Sequence, residues 1–184
     1  DFSIIVDADD YFGAIRNVMR TARHSIFLVG WDFDAGTALG RPDVDDGAPR
    51  KVGDFILWLA RQNPDIEIRI LLWSPALLAS WMRPSNLPYL LRWKWHPRIS
   101  VKLDGKHPVG SSHHQKMLVV DDEIAFCGGI DVTLDRWDTR DHLDDNRLRR
   151  RPSGAPYGPW HDASSMFTGE AARALAELCR MRWQ

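Results

Sequence analysis

The stretch "SHHQKMLVVDDEIAFCGGIDV" (Ser112–Val132) places two histidines and a lysine directly before a strongly apolar run. It contains two strand-length segments separated only by an acidic turn, which predicts a β-hairpin. Alternate side chains of a strand point to opposite faces, so His114 and Lys116 are expected on one face and Asp121 on the other. At a rise of about 3.3 Å per residue, His114 and Lys116 lie roughly 6.5 Å apart, a spacing that one phosphate group can bridge.

The side chains of His114 and Lys116 suit chemistry at phosphorus. A lysine ammonium can hold phosphate oxygens as a point charge. An imidazole has an unperturbed pKa of about 6.5, so it can attack phosphorus or move a proton near neutral pH. Asp121 lies at the turn on the opposite face and is expected to be structural. His113 also points away from His114 by strand parity, which favours a structural or rim position.

The rest of the chain alternates between segments typical of strands and of helices. Apolar runs predict four further strands, at Ser3–Asp7, Ser25–Trp31, Ile66–Trp73 and Ile99–Leu103. Apolar residues at helical spacing predict four helices, at Ala8–Arg23, Lys51–Gln62, Pro75–Arg92 and Glu170–Trp183, the third interrupted by prolines. This alternation, followed by a hairpin, predicts an α/β fold with a mixed, mostly parallel β-sheet flanked by helices.

Length and composition indicate one unit with its own core. The chain has 184 residues, which suits a single domain over residues 1–184, and 44% of them are hydrophobic. The formal net charge of -1 gives no overall attraction to nucleic acid or to an anionic membrane. Cys127 and Cys179 are too few and too far apart for a disulfide framework or a metal site, and are expected as free core thiols. His142 and His161 show no metal-ligand spacing, so no metal is expected.

No targeting or membrane-spanning segment is visible. The sequence has no run of about 18 apolar residues and no signal peptide. A cytoplasmic or peripheral-membrane location is therefore favoured. The first residue, Asp1, already lies beside a strand-like segment, as expected of a lobe taken from a longer chain.

The motif His114-x-Lys116-x-x-x-x-Asp121, followed by Gly128-Gly129-Ile130-Asp131, resembles the HxKxxxxD signature of the phospholipase D superfamily. Other segments are similar to the phosphatidyl-transferring branch of that family in order and spacing. They are "SIFLVGWDFD" (25–34), "HPRISVKL" (96–103), "DRWDT" (135–139) and "PWHDASSMFTGEAARALAELCRMRW" (159–183). Together with the motif, these segments are distributed over residues 25–183 of the chain.

The resemblance implies a lobe that supplies half of an active site. Two such lobes pair in the family, and each gives one histidine and one lysine. One histidine attacks phosphorus and forms a phosphohistidine, while the other protonates the leaving alcohol and then activates water or an acceptor alcohol, without a metal or another cofactor. This chain has one such motif. The expected partners are a second HxK lobe, from the rest of the chain or from a homodimer partner, a phospholipid or other phosphodiester substrate, and a membrane surface contacted peripherally.

Two further carboxylates are candidate site residues. A catalytic imidazole needs a partner on its other nitrogen to fix its tautomer and orientation. Asp162, in "WHD", resembles the family carboxylate that does this for the histidine, and the alternative is a capping role close to the last helix. Asp131 can bind Lys116 as part of the substrate-binding site, or it can be a turn residue.

Glycines and tryptophans next to the motif are candidate substrate-binding residues. Gly128 and Gly129 can let the backbone approach a phosphate closely, or they can form a simple bulge. Trp31 and Trp160, together with Trp137, can line the mouth of a site for an amphiphile. In "RLRRR" (147–151), acidic residues just before the arginines favour a solvated loop face over binding of anionic headgroups or nucleic acid.

The function expected is that of a phospholipase D-like phosphodiesterase or transphosphatidylase lobe. The alternatives are a nuclease of the same superfamily that works as a homodimer, and an inactive phosphate-binding lobe. The near-neutral charge weighs against the nuclease, because a nuclease groove needs a basic stripe. His114, Lys116 and Asp162 are intact, which weighs against the inactive lobe. The isolated lobe is expected to be nearly silent, because one imidazole cannot lie on both sides of phosphorus.

Overall fold

The computed structural model of the protein describes residues 1–41, 43, 45–73, 83, 85–106, 108 and 111–184. Its strands are β1 (Phe2–Val6), β2 (Ser25–Gly30), β3 (Glu67–Trp73), β4 (Ile99–Asp104), β5 (Lys116–Val120), β6 (Ile124–Gly128) and β7 (Ala163–Thr168). The helices of the described residues are α1 (Ala8–Arg20), α2 (Val52–Gln62), α3 (Leu87–Lys94) and α4 (Glu170–Trp183). Most of the helix predicted from Pro75 lies outside the described residues, and α3 corresponds to its last part.

The strands form one seven-stranded sheet in the order β1-β7-β6-β5-β2-β3-β4. The predicted α/β fold with a mixed sheet flanked by helices is confirmed. The expectation that the sheet is mostly parallel holds for strand direction, since five of the seven strands run the same way. It does not hold for pairing. β5 and β7 run against their neighbours, so only β2–β3 and β3–β4 pair in parallel.

The predicted hairpin is formed by β5 and β6, with Lys116 opposite Gly128 and Val120 opposite Ile124. All five residues of β5 are buried, because both faces of the sheet are covered. Leu118 and Val120 pack in the cluster that includes α1 and α2, whereas the alternate residues of β5 pack in the cluster that includes α4. A strand buried on both faces reads as a continuous apolar run, which is why "MLVV" shows no alternation.

The two ends of β5 have different surroundings. Because β5 is antiparallel to β2 and β6, its first residue meets the last residues of those strands at one edge of the sheet. This edge therefore brings together Lys116, the residues after Gly30 and the residues after Gly128. The sequence segments that resemble the family motif converge there.

Two remaining expectations concern cysteines and membranes. Cys127 and Cys179 are both free thiols, as predicted. Burial raises the pKa of the Cys179 thiol to about 12, so this group is an inert part of the core. No helix in the described ranges is both long and apolar enough to cross a bilayer.

Candidate active site

Lys116 is the first residue of β5, and its ammonium is buried beside Asp131. The side chain is 5% exposed, and Nζ lies 3.0 Å from Asp131 Oδ2. Nζ also donates a hydrogen bond to the backbone carbonyl of His114 at 3.0 Å and lies 5.6 Å from the centroid of the Trp31 ring. These contacts fix the position of the ammonium at the sheet edge.

Asp131 connects the end of β6 to the end of β2. Its Oδ1 accepts the N–H groups of Trp31 at 3.0 Å and Asp32 at 3.3 Å, while Oδ2 faces Lys116. Burial raises the pKa of Asp131, and the charge of Lys116 opposes this without cancelling it. Both oxygens are engaged and the residue is 3% exposed. In this conformation Asp131 positions Lys116, and its place in the substrate-binding site stays a prediction.

His114 lies in an exposed, irregular segment just before β5 rather than within the strand. Its ring centroid is 5.4 Å from that of Trp31, with the planes inclined at 60°. Trp31 in turn stacks on Trp73, with 5.8 Å between centroids. Trp31 therefore touches both His114 and Lys116. Within the described part of the chain, the His114 ring nitrogens have no hydrogen-bond partner.

The space between these groups is small. The cavity lined by Lys116, Asp131 and Asp32 measures about 10 Å³, about the minimum for one water molecule. A cavity of about 500 Å³ lies elsewhere and is lined in part by Arg41, Arg50, Lys51, Arg150 and Arg151. Neither His114 nor Lys116 lines that larger cavity. The edge of the sheet presents the motif residues, and the described residues enclose little space around Lys116.

Asp162 directly precedes β7, and its carboxylate does not bind the His114 ring in this conformation. Its Oδ1 accepts the N–H of Ala163 at 2.7 Å, and its own N–H donates to Asp7 Oδ1 at 3.1 Å. The predicted hydrogen bond to His114 is thus absent among the described contacts. The contacts of Asp162 are local to the start of β7, and it does not cap the last helix, whose N-cap is Gly169.

The two glycines of the motif allow close approach of β7. A Cβ atom on Gly128 would overlap the backbone of Ser164, and one on Gly129 would overlap the carboxylate of Asp162. Any larger residue at these two positions would therefore clash with β7 or with the residue before it. In this structure the group that approaches the two glycines is β7 with the residue before it, and close approach of a phosphate stays a prediction.

Asp121 lies at the opposite end of β5 and binds backbone. Its carboxylate accepts the N–H groups of residues 23, 24 and 25 at 2.7, 2.8 and 2.7 Å. These are the backbone contacts that strand parity predicts. His113 Nε2 lies 3.2 Å from the carbonyl oxygen of Lys106, away from the Lys116–Asp131 pair.

The tryptophans expected at the mouth of the site separate into two groups. Trp31 contacts both motif residues, as described above. Trp137 donates from Nε1 to Asp9 Oδ1 at 3.1 Å, and the guanidinium of Arg136 lies 4.1 Å from the centroid of the Trp160 ring. The described contacts of Trp160 are with Arg136 and Asp138, and its place in the substrate-binding site stays a prediction.

The long connection between β6 and β7 is organised around Asp138 and Arg149, whose roles sequence reasoning missed. Arg149 is 1% exposed, and its Nη1 lies 3.0 and 3.1 Å from the Asp138 oxygens. Its other donors bind the carbonyls of Leu143, Asp144 and Tyr157. The expectation of a solvated loop face is wrong for Arg149. Nothing in "RLRRR" distinguishes this arginine from its neighbours, because its partners are fixed by the folded connection.

One group of side chains among the described residues has metal-ligand chemistry. Asp7, His142 and His161 each offer one ligand atom, and these atoms all lie within 4.8 Å of one another. The expectation that no metal binds rested on the spacing of His142 and His161 alone. It could not anticipate a third ligand 154 residues away from His161 in the chain.

Comparison with known proteins places the chain in a family. No protein-family model matches it. Phospholipase D B of Dictyostelium discoideum is 26% identical over 205 residues, which cover 97% of this chain and 17% of that protein. Phospholipase D1 of Rattus norvegicus is 33% identical over 165 residues, which cover 86% of this chain and 15% of that protein.

The fold agrees with the sequence similarity. The solved structure of Nuc from Salmonella typhimurium, a phospholipase D family member, has a TM-score of 0.61 at 12% identity, covering 100% of this chain and 95% of that chain. The chain therefore belongs to the phospholipase D superfamily. It spans less than a fifth of the two phospholipases D but nearly all of Nuc.

Proposed function

We propose that residues 1–184 form one catalytic lobe of a phospholipase D-type phosphodiesterase that acts on phospholipids by hydrolysis or headgroup exchange. The observation that carries this proposal is the fixed Lys116 ammonium beside an exposed His114 ring. Lys116 is held by Asp131 and by the His114 backbone carbonyl, and Trp31 contacts both the ammonium and the His114 ring, so the charge and the imidazole lie at the same edge of the sheet. Holding a charge in place before the reaction is the main way in which enzymes stabilise a phosphoryl transition state.

The proposed chemistry needs a second imidazole. One imidazole nitrogen forms a bond to phosphorus while the bond from phosphorus to the leaving oxygen breaks, and that oxygen takes a proton from the other imidazole. The second imidazole then removes a proton from water or an acceptor alcohol, whose oxygen attacks phosphorus and releases the first imidazole. The nucleophile and the acid lie on opposite sides of phosphorus, so His114 can fill only one of these positions.

A second HxK lobe is proposed as the partner that completes the site. Lobes of this superfamily pair with a second lobe carrying the same motif. The cavity of about 10 Å³ at Lys116 supports this proposal, because a phosphodiester needs far more space than the described residues enclose there. Exposed apolar side chains on or just after α3, Leu87, Leu91 and Trp95, offer surface of the kind that another lobe or a lipid interface covers.

We retain Asp162 as the proposed orienter of His114 in the assembled site only. In the described part of the chain, neither the His114 ring nor Asp162 Oδ2 has a hydrogen-bond partner. A rotation that brings them together on pairing of the lobes would satisfy both groups. Trp31, whose ring contacts His114, is proposed to support the imidazole on its other side.

The test compares monomer and assembled protein. The chain is assayed at concentrations where light scattering shows monomer and where it shows dimer, and also after mixing with a longer chain that carries a second motif. Substrates are a short-chain phosphatidylcholine, a bis-nitrophenyl phosphodiester and single-stranded DNA. Turnover is expected only in assembled protein, with choline released faster than DNA is cut, and it is expected to disappear in His114→Ala but not in the neighbouring control His113→Ala.

Three outcomes would contradict the proposal. Robust turnover by the confirmed monomer that disappears in His114→Ala would show that one lobe is sufficient. Turnover by assembled protein that survives His114→Ala would remove the catalytic assignment. Cleavage of DNA in preference to phosphatidylcholine would replace the lipid substrate with nucleic acid.

A further inference from the structure

A cluster outside the proposed catalytic groups joins three distant segments of the chain. Asp7 lies between β1 and α1, His142 lies in the long connection between β6 and β7, and His161 lies just before β7. His161 Nδ1 is 2.8 Å from Asp7 Oδ1, and the two imidazole rings meet edge to face with 5.1 Å between centroids. The proposed chemistry at His114 uses none of these three side chains.

One atom of the cluster has no satisfactory partner. Asp7 is 1% exposed, and its Oδ2 is buried without a hydrogen-bond partner among the described residues. His142 Nε2 lies 3.2 Å from this oxygen, but the contact lacks hydrogen-bond geometry. A buried carboxylate oxygen left unsatisfied is costly, so a folded protein normally supplies a partner for it.

The other nitrogen of His142 is already engaged by a second carboxylate. Its Nδ1 lies 3.1 Å from Asp138 Oδ2, and Asp138 is itself held by Arg149. A carboxylate on Nδ1 keeps the proton there and leaves the lone pair of Nε2 exposed to a ligand, the arrangement that metal-binding histidines usually have. The Nε2 lone pair then faces the Asp7 Oδ2 lone pairs at 3.2 Å, which is repulsive unless a cation lies between them.

We propose that Asp7 Oδ2, His142 Nε2 and His161 Nδ1 bind one divalent transition-metal ion of the Zn²⁺ class. Two ligand atoms in a tetrahedral shell with bonds of about 2.0–2.1 Å are separated by about 3.3 Å, close to the Nε2–Oδ2 distance in the cluster. Two imidazoles and one carboxylate favour Zn²⁺ and related ions over Ca²⁺ and Mg²⁺, which prefer oxygen ligands. The side chain of His161 is 70% exposed, so water can occupy the remaining position.

The ion would have a structural role next to the proposed catalytic residues. The N–H of Asp7 donates to the Asp162 carbonyl at 2.8 Å, and the N–H of Asp162 donates to Asp7 Oδ1. An ion held by Asp7 and both histidines ties the start of α1, the long connection and the start of β7 together. It therefore fixes the backbone that carries Asp162 without touching the reacting phosphate.

The test uses the untagged 184-residue chain after treatment with a chelator. It is titrated with Zn²⁺ against a chromophoric competitor, and separately with Co²⁺, whose visible absorption reports imidazole and carboxylate ligation. One ion per chain is expected to bind. His161→Ala and Asp7→Asn are expected to weaken binding by at least about 10-fold, since losing even an outer-shell partner usually costs that much. His24→Ala, which removes an exposed histidine outside the cluster, is the matched control and is expected to leave binding unchanged.

Circular dichroism of each variant distinguishes lost ligation from lost folding. His161→Ala opens no cavity because that side chain is mostly exposed, and Asp7→Asn keeps the size of the buried side chain. No saturable binding by the unaltered chain would overturn the proposal. Equal binding by the unaltered chain and by the folded His161→Ala and Asp7→Asn variants would place the ion elsewhere and overturn it equally.

Discussion

Two buried ion pairs of this chain, Lys116–Asp131 and Arg149–Asp138, show how similar charges acquire different roles. Both pairs are almost completely excluded from solvent. For Asp131, burial outweighs the stabilising contacts and the pKa is raised. For Asp138, burial also acts to raise the pKa, but hydrogen bonds from the Trp160 N–H, His142, the Thr139 N–H and Arg149 outweigh it, so the pKa is lowered. Both carboxylates are engaged, but that of Asp138 receives more hydrogen bonds than that of Asp131.

The two cations, Arg149 and Lys116, also differ in how many of their donors are bound within the fold. Arg149 directs its guanidinium to Asp138 and to three backbone carbonyls, so its binding capacity is used inside the fold. An ammonium has three hydrogens to donate. Within the described ranges, Lys116 Nζ has two acceptors, the His114 carbonyl and Asp131. One donor of Lys116 therefore has no acceptor among the described residues, which is what the proposed contact with a substrate oxygen requires.

The largest expected effect comes from breaking the satisfied pair. Arg149→Met leaves Asp138 and three carbonyls without their cation, and the free energy of unfolding is expected to fall by about 3–5 kcal/mol. Urea denaturation measures this change. Arg147→Met, in the exposed part of the same segment, is the matched control and should change stability by no more than about 0.5 kcal/mol. A cost below about 1 kcal/mol for Arg149→Met would show that the pair does not organise the connection.

Breaking the other pair is expected to affect turnover more than stability. In assembled enzyme, Lys116→Met should lower kcat by about 10²–10³, the usual cost of losing one donor to a transition state. Stability should fall less than for Arg149→Met, because Asp131 can take up a proton. The measurement is kcat per folded molecule alongside urea denaturation of the same preparation. An unchanged kcat would assign Lys116 to structure.

At the opposite end of β5, substitution of Asp121 is expected to change stability but not turnover. Asp121→Ala removes the acceptor of three successive backbone N–H groups, and the free energy of unfolding should fall by about 1–3 kcal/mol. Turnover per folded molecule should stay the same, because these contacts lie at the other end of the strand from Lys116. A large loss of kcat without loss of stability would contradict this division of β5.

The smallest expected effect is a pH dependence. The pKa of Asp131 is raised in the folded state, so its contribution to stability is present at acidic pH, below the unfolded pKa of about 3.9. It is lost as pH rises through the folded pKa. The stability of unaltered protein relative to Asp131→Asn should therefore increase as pH falls from neutral towards 4. Urea midpoints of both proteins across that range measure it, and a relative stability that decreases towards acid would reverse the direction inferred for Asp131.

The parts of the fold that follow from local pattern could be predicted from the sequence. The hairpin follows from "MLVV" and "IAFC" around an acidic turn, and the place of Asp121 follows from strand parity alone. The pairing directions of β5 and β7 depend on where distant strands join the sheet, which no local pattern records. The burial of Arg149 likewise depends on Asp138 and on the path of the connection.

The candidate site shows the same limit. His114 and Lys116 can be recognised in the sequence because they are only two positions apart. The contact between Asp131 and the N–H groups after β2 spans about 100 residues of chain, and only the folded sheet makes it. The cluster of Asp7, His142 and His161 is even harder to predict, because each of its residues comes from a separate segment of the chain.

The small volume that the described residues enclose at Lys116 bears on how a lobe of the proposed kind can diversify. A chain that fixes its ammonium and imidazole on an open edge contributes reactivity, whereas the shape of the substrate cavity comes from whatever surface faces that edge. Surface substitutions usually change stability by less than about 0.5 kcal/mol, so the facing residues are free to vary. Substrate preference can then drift through exposed positions while the buried Lys116–Asp131 pair is inherited unchanged, and lobes with the same chemistry can come to accept very different esters.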